Sequence, residues 1–227
     1  MQPNGTLYLV STPIGNLEDI TLRALRILGE VGLIAAEDTR RTRQLLTHYN
    51  IETSVVSFFQ GNERAKLEGL IDQLRSGKSI ALVSDAGTPT ISDPGYLLVV
   101  GAIKAEIIIV PIPGVTACMS AASVSGMPLH NFAFEGFLSP KSGKRRRKLI
   151  ELSQDERTII FYESPHRLVK FLVDVLEILG DRRICIAREL TKKFEEIFYG
   201  TVSEAIDKFT DQPPRGEFTV VVAGVDL

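Results

Sequence analysis

The chain has 227 residues, 44% hydrophobic and 24% charged, with a formal net charge of −2, which excludes a polycation gripping nucleic acid by overall charge and a chain too polar to bury a core. Its apolar runs are too short to span a bilayer, and the polar residues 1–6 show no leader pattern, so a cytoplasmic protein is expected. The two cysteines, Cys118 and Cys185, lie far apart and are expected to be reduced, buried thiols.

In chain order, residues 7–11 read as a short apolar strand. Residues 19–28 have helical spacing, with Ile20, Ala24, Ile27 and Leu28 on one side. A strand over 31–36, a helix over 39–48 and a strand over 54–59 follow. Residues 62–76 form a strong helix, capped by Asn62, with Leu67, Leu70, Ile71 and Leu74 as its buried stripe. Residues 80–83 are a fully apolar strand of the kind buried on both faces. A helix over 96–104 and a strand over 107–110 complete this half. The alternation predicts an α/β fold with a mostly parallel N-terminal sheet. Pro111-Ile112-Pro113-Gly114 breaks the rhythm and sets a boundary between an N-terminal α/β domain, 1–114, and a C-terminal α/β domain, 115–227. The second domain reads as strands over 133–137, 158–162, 183–188 and 218–223, with helices over 144–152, 166–179 and 202–209.

Ligands bind parallel sheets beyond the carboxyl ends of the strands. Three loops there are rich in turn residues: 11–16, 84–95 and 113–117. Small residues allow close approach of a ligand to the backbone, and Asp85 offers a carboxylate to a cation or a ribose hydroxyl. Any one such loop reads best as a tight turn; three together point to a ligand site. There is no G-x-G-x-x-G, no P-loop and no G-x-S-x-G elbow, which disfavours dinucleotide dehydrogenases, P-loop NTPases and serine hydrolases. The histidines His48, His130 and His166 lack metal-ligand spacing, so no metal is expected.

Thr12-Pro13-Ile14-Gly15-Asn16-Leu17, Ala36-Glu37-Asp38-Thr39-Arg40, residues 82–89 with Ser92-Asp93-Pro94-Gly95, and Phe161-Tyr162-Glu163-Ser164-Pro165-His166-Arg167 together resemble the tetrapyrrole-methylase family. Ala187-Arg188-Glu189-Leu190-Thr191-Lys192 and Gly216-Glu217-Phe218 extend the likeness across residues 7–224. The branch most similar is the one that methylates the ribose 2′-hydroxyl of a decoding-centre cytidine in 16S rRNA. The resemblance implies two α/β domains of class III methyltransferase type, the C-terminal sheet mixed, a homodimer, and S-adenosylmethionine in the cleft between the domains. Carried over by position, the cofactor candidates are Pro13, Ile14, Ser84, Asp85, Ala86, Gly87, Thr88, Pro113, Gly114, Thr116, Ala117 and Tyr162. The stretch Phe161-Tyr162-Glu163 is expected to close the site from the second domain. Family members often have a His-Asn pair where Gln60-Gly61-Asn62 stands here, and some carry a further C-terminal helical segment beyond the position of Gly224.

Lys141, Lys144, Arg145, Arg146, Arg147 and Lys148 are crowded together near a helix start. Positive charge there opposes the helix macrodipole, which points to an external anion, RNA phosphate, rather than a merely solvated face. Arg40, Arg41 and Arg43 form a second basic group, so the RNA-binding candidates are Arg40, Arg41, Lys144, Arg145, Arg146, Arg147 and Lys148. For the transfer itself, Asp38, Glu163 and Glu189 are candidate bases, and Arg40, Arg188 and Lys192 candidate cations; Asp38, Glu163 and Arg188 are the catalytic choices. The rival readings are a tetrapyrrole C-methyltransferase, disfavoured because the first loop lacks the glycine-rich turn of those relatives, and a non-catalytic RNA-binding assembly factor. The expected substrate is 16S rRNA or the small ribosomal subunit.

Overall fold

The computed structural model describes residues 4–225. It divides into two compact units, Met1–Thr116 and Ala117–Leu227.

The first unit is a five-stranded sheet in the order β3-β2-β4-β1-β5, every pairing parallel. Its strands are β1 (Leu7–Val10), β2 (Leu33–Ala36), β3 (Val55–Ser57), β4 (Ile80–Val83) and β5 (Ile109–Ile112). The helices are α1 (Leu22–Glu30), α2 (Thr39–His48), α3 (Glu63–Arg75) and α4 (Tyr96–Lys104). Alternate strand residues feed opposite faces. Leu7, Leu33, Ile80 and Leu82 pack with Leu70, Ile71 and Leu74 of α3 and Leu98 of α4. Val10, Ile34, Ala81 and Val83 pack with Ala24, Ile27 and Leu28 of α1 and Leu46 of α2. The central strand β4 is therefore buried on both faces, which its unbroken Ile-Ala-Leu-Val run encodes.

Three local expectations shift. The helix expected over 19–28 is a 3₁₀ turn at Leu17–Asp19 followed by α1, because the Thr21 hydroxyl accepts from the Ala24 N–H at 3.0 Å and starts the helix there. The strand expected over 107–110 runs to Ile112 and includes Pro111, which is tolerated because β5 is an edge strand. Asn62 stands at the start of α3 without capping it: its side chain accepts from the Phe59 N–H at 2.9 Å and donates to the Ser57 carbonyl at 3.3 Å, fastening the preceding turn.

The second unit is a mixed five-stranded sheet, order β6-β7-β10-β8-β9, in which only β6 and β7 pair in parallel. Its strands are β6 (Phe132–Phe137), β7 (Thr158–Glu163), β8 (Arg183–Arg188), β9 (Glu196–Thr201) and β10 (Phe218–Val222). Helices α6 (Ser142–Glu151), α7 (Leu168–Leu179) and α8 (Val202–Asp211) cover one face, where Ile159, Phe161, Ile186 and Val220 meet Leu149, Phe171, Leu172 and Phe209. The short α5 (Ala117–Val124) covers the other, packing Cys118, Ala121 and Ala122 on Ile160, Cys185 and Val221. Both cysteines are free and buried, and desolvation pushes each thiol up to about 11, so they are inert filler. Among the described residues, no helix is long and apolar enough to cross a membrane.

Candidate functional site

Strands β4, β1 and β5 are neighbours in the sheet, so the loops that follow them emerge side by side. They are then joined to one another. Thr12 and Gly87 exchange two backbone hydrogen bonds, both 2.9 Å, as an antiparallel bridge beyond the parallel ladder. The Ser11 and Thr88 hydroxyls lie 2.8 Å apart, Thr12 Oγ1 donates to the Ser84 carbonyl at 3.2 Å, and Thr88 Oγ1 donates to the Val115 carbonyl at 3.4 Å. A Cβ on Gly114 would stand 2.6 Å from the Ser11 Cβ, so only glycine lets the third loop lie against the first. Gly87 turns at φ +81°, and the following segment holds Thr90 and Ser92 at φ +73° and +66°. Backbone of that kind is uncommon outside glycine and is sustained only by surrounding structure.

Of the residues singled out from the sequence, Pro13, Ile14, Ser84, Asp85, Ala86, Gly87, Thr88, Pro113, Gly114 and Thr116 belong to these joined loops of the first unit. Ala117 opens α5 of the second unit. Tyr162 lies on the α5 face of its sheet, where its hydroxyl accepts the Cys118 N–H at 3.0 Å and its ring meets Phe134 and Phe137 edge-on or tilted.

A knot of acids surrounds the β2 and β4 ends. The Asp85 N–H donates to Glu37 at 3.3 Å, and the Asp38 N–H donates to Asp85 Oδ1 at 2.9 Å. Asp85 Oδ2 faces Arg41 Nη1 at 3.6 Å. Burial and the nearby Glu37 charge push Asp93 up to about 6, against a Ser84 hydrogen bond that lowers it. Burial likewise raises Glu37. Both residues sit inside motifs quoted from the sequence, yet neither was given a role; adjacent acids in a loop carry no sequence mark of which one is desolvated.

The catalytic choices fare differently. Asp38 is the N-cap of α2, accepting from the Arg40 backbone and, bidentately, from its guanidinium. Those hydrogen bonds pull it down to about 2, so it is a poor base at neutral pH, and Arg40 is committed to it. Glu163 points to the α6–α8 face, opposite Tyr162 its neighbour on the strand. It is 2% exposed, accepts the Ser164 N–H at 2.7 Å and pairs with Arg167 at 2.6 Å, fixing the turn into α7. Phe161 and Glu163 thus lie on the helix-covered face of this sheet, and Tyr162 on the α5 face. Arg188 donates to the Arg215 carbonyl at 2.6 Å and pairs with Glu196 at 3.3 Å, while Glu189 holds Lys192 at 2.8 Å; these are ties between chain segments.

The basic run is also redistributed. Arg145 is buried and ion-paired with Asp174 at 2.6 Å. Arg146 bridges Asp174 and Glu177 at 2.7 and 2.6 Å, and Lys148 meets Glu135 at 2.9 Å. The anion inferred from the macrodipole argument is largely supplied by the chain itself. Lys141, Lys144 and Arg147 are exposed, with no ion pair among the described residues.

The model of the tetrapyrrole (corrin/porphyrin) methylases matches residues 6–206. A protein of Halalkalibacterium halodurans named ribosomal RNA small subunit methyltransferase I is 52% identical over 97% of this chain and 76% of its own length. One of the same name from Thermotoga maritima is 51% identical over 97% of this chain and 99% of its own. Among solved structures, the methyltransferase CobJ superposes with a TM-score of 0.73 at 19% identity, covering 97% of this chain and 95% of that one. A Thermus thermophilus uroporphyrin-III C-methyltransferase complexed with S-adenosyl homocysteine superposes with a TM-score of 0.67 at 18% identity, covering 96% and 97%. The chain belongs to the tetrapyrrole methylase family, within the group of ribosomal RNA small subunit methyltransferase I proteins.

Proposed function

We propose that the chain transfers a methyl group from S-adenosylmethionine to the ribose 2′-hydroxyl of a decoding-centre cytidine in 16S rRNA. The observation that carries this is the likeness, at 51–52% identity over 97% of the chain, to relatives named for methylating small-subunit ribosomal RNA. The joined loops after β1, β4 and β5 fit the cofactor's chemistry. They gather hydroxyls from Ser11, Thr12, Ser84 and Thr88 for its polar groups, Ile14 for its apolar ones, and the carboxylates of Glu37 and Asp93 to offset its positive charge. When bound, S-adenosylmethionine supplies an electrophilic methyl group on a sulfonium.

The chain's own part is to hold the hydroxyl in line with that methyl group and to take its proton. Asp93 and Glu37, whose environments raise their proton affinity, are better placed for the proton than Asp38. Lys141, Lys144 and Arg147, with Arg43 on α2, are the cations left for phosphate. The working form in this reading is a homodimer, supported by the exposed apolar Tyr96, Ile103 and Ile108 around α4 and β5. Incubation with labelled S-adenosylmethionine and unmethylated small subunits tests the reading. Label in cytidine ribose is expected; label accepted only by a tetrapyrrole, or RNA retained without label, overturns it.

A further inference from the structure

A groove runs between the loop after β1 and helix α2, floored by the end of β4. Pro13 and Leu17 line it from the loop, Arg41, Gln44 and Leu45 from the helix, and Asp85 from the loop after β4. The Tyr49 hydroxyl donates to the Leu17 carbonyl at 2.7 Å, which ties the far end of α2 to the loop and holds the groove's width. Its volume is about 230 Å³. Pockets that take a whole drug-sized ligand run to roughly 300–1,000 Å³. The space is of the size of one ring system.

The polar lining is specific. Asp85 Oδ1 is occupied by the Asp38 N–H, leaving Oδ2 as an acceptor toward the groove. Arg41 stands 3.6 Å from it, beyond hydrogen-bond length, so the guanidinium is not closed onto the carboxylate. Gln44 adds an amide that both donates and accepts. Outside the groove, Arg40, Arg43 and His48 form a second, open depression that shares Gln44 with it. Apolar walls, one acceptor, adjacent donors and a cationic rim describe a seat for a single unstacked base of RNA, with its phosphates outside. Cytosine presents an amino donor beside two acceptors on its Watson–Crick edge; uracil presents a carbonyl where cytosine has the amino group, and would set that oxygen against Asp85.

We infer that this groove seats the acceptor cytosine, with Asp85, Arg41 and Gln44 as its specificity-determining residues. The inference rests on the RNA reading above, and Pro13 and Asp85 place the base directly beside the loops assigned to the cofactor. Titration with cytidine 5′-monophosphate and uridine 5′-monophosphate, in the presence of S-adenosylhomocysteine, tests it by NMR. Cytidine monophosphate should bind at least tenfold more tightly, and Gln44→Leu should weaken its binding at least fivefold while leaving S-adenosylhomocysteine affinity within about twofold. Equal binding of the two nucleotides, or cofactor affinity that falls in parallel in Gln44→Leu, overturns the inference. Cytosine preference in a protein that labels no small subunit overturns the reaction assigned above and leaves the groove's assignment standing.

Discussion

The loop at 84–95 and the helix α6 are both crowded with polar groups, and they direct them differently. In α6 the charges turn inward and sideways: Arg145 lies buried against Asp174, and Arg146 and Lys148 find carboxylates on α7 and β6. In the loop the backbone supplies most of the ties, leaving Asp85 Oδ2 facing a groove and Asp93 desolvated without a closed cationic partner. A cluster of charge thus marks a structural joint as readily as a binding surface. What separates the two is whether the fold brings countercharges to meet it.

The sharpest break of this comparison is Asp174→Ala. It leaves the Arg145 guanidinium buried without its partner, and loss of one member of a buried pair costs about 3–5 kcal/mol. Chemical denaturation should show that loss, with RNA affinity of the still-folded protein unchanged; a mild effect would mean that α6 is free to turn its charge outward. Next is Gly114→Ala, whose methyl would collide with Ser11 and push two of the three loops apart. Overpacking of that kind corresponds to roughly tenfold weaker cofactor binding, measured calorimetrically, in a protein whose far-ultraviolet circular dichroism is unaltered.

Lys144→Ala with Arg147→Ala should act on RNA alone. Removing two phosphate contacts flattens the slope of log affinity against log salt by about 1.4–1.8, whereas a purely solvated face would leave the slope as it was. The smallest effect concerns pH. With a folded pKa of about 6 against an ordinary 3.8, Asp93 is protonated in the native state and ionised in the unfolded chain between those two values. Its favourable contribution is complete below about pH 4 and is lost as pH rises through about 6. Asp93→Asn should therefore raise the melting temperature more at about pH 8 than at about pH 4; equal shifts at both would place Asp93 in water.

Most of the fold was legible because its elements carry their own periods. The β4 run and the α3 stripe are buried as read, with Leu67 packed at the edge of that cluster. Helix α5 and strand β9 were not foreseen. The small residues of α5 give almost no amphipathic contrast, and β9 is half-buried at a sheet edge, so neither imposes a clear hydrophobic alternation. The three turn-rich loops follow their strands as read and are bonded together, because turn chemistry after strands is local. Roles were not legible. Whether an acid is a cap, as Asp38, or is desolvated, as Asp93, depends on neighbours remote in sequence.

The Thr12–Gly87 bridge makes one plank of two loops. Neither can open alone without breaking both rungs. A ligand that orders one has ordered the other, so entry and release should proceed as a single hinged event, and the Thr12 and Gly87 amides should exchange with deuterium at a common rate.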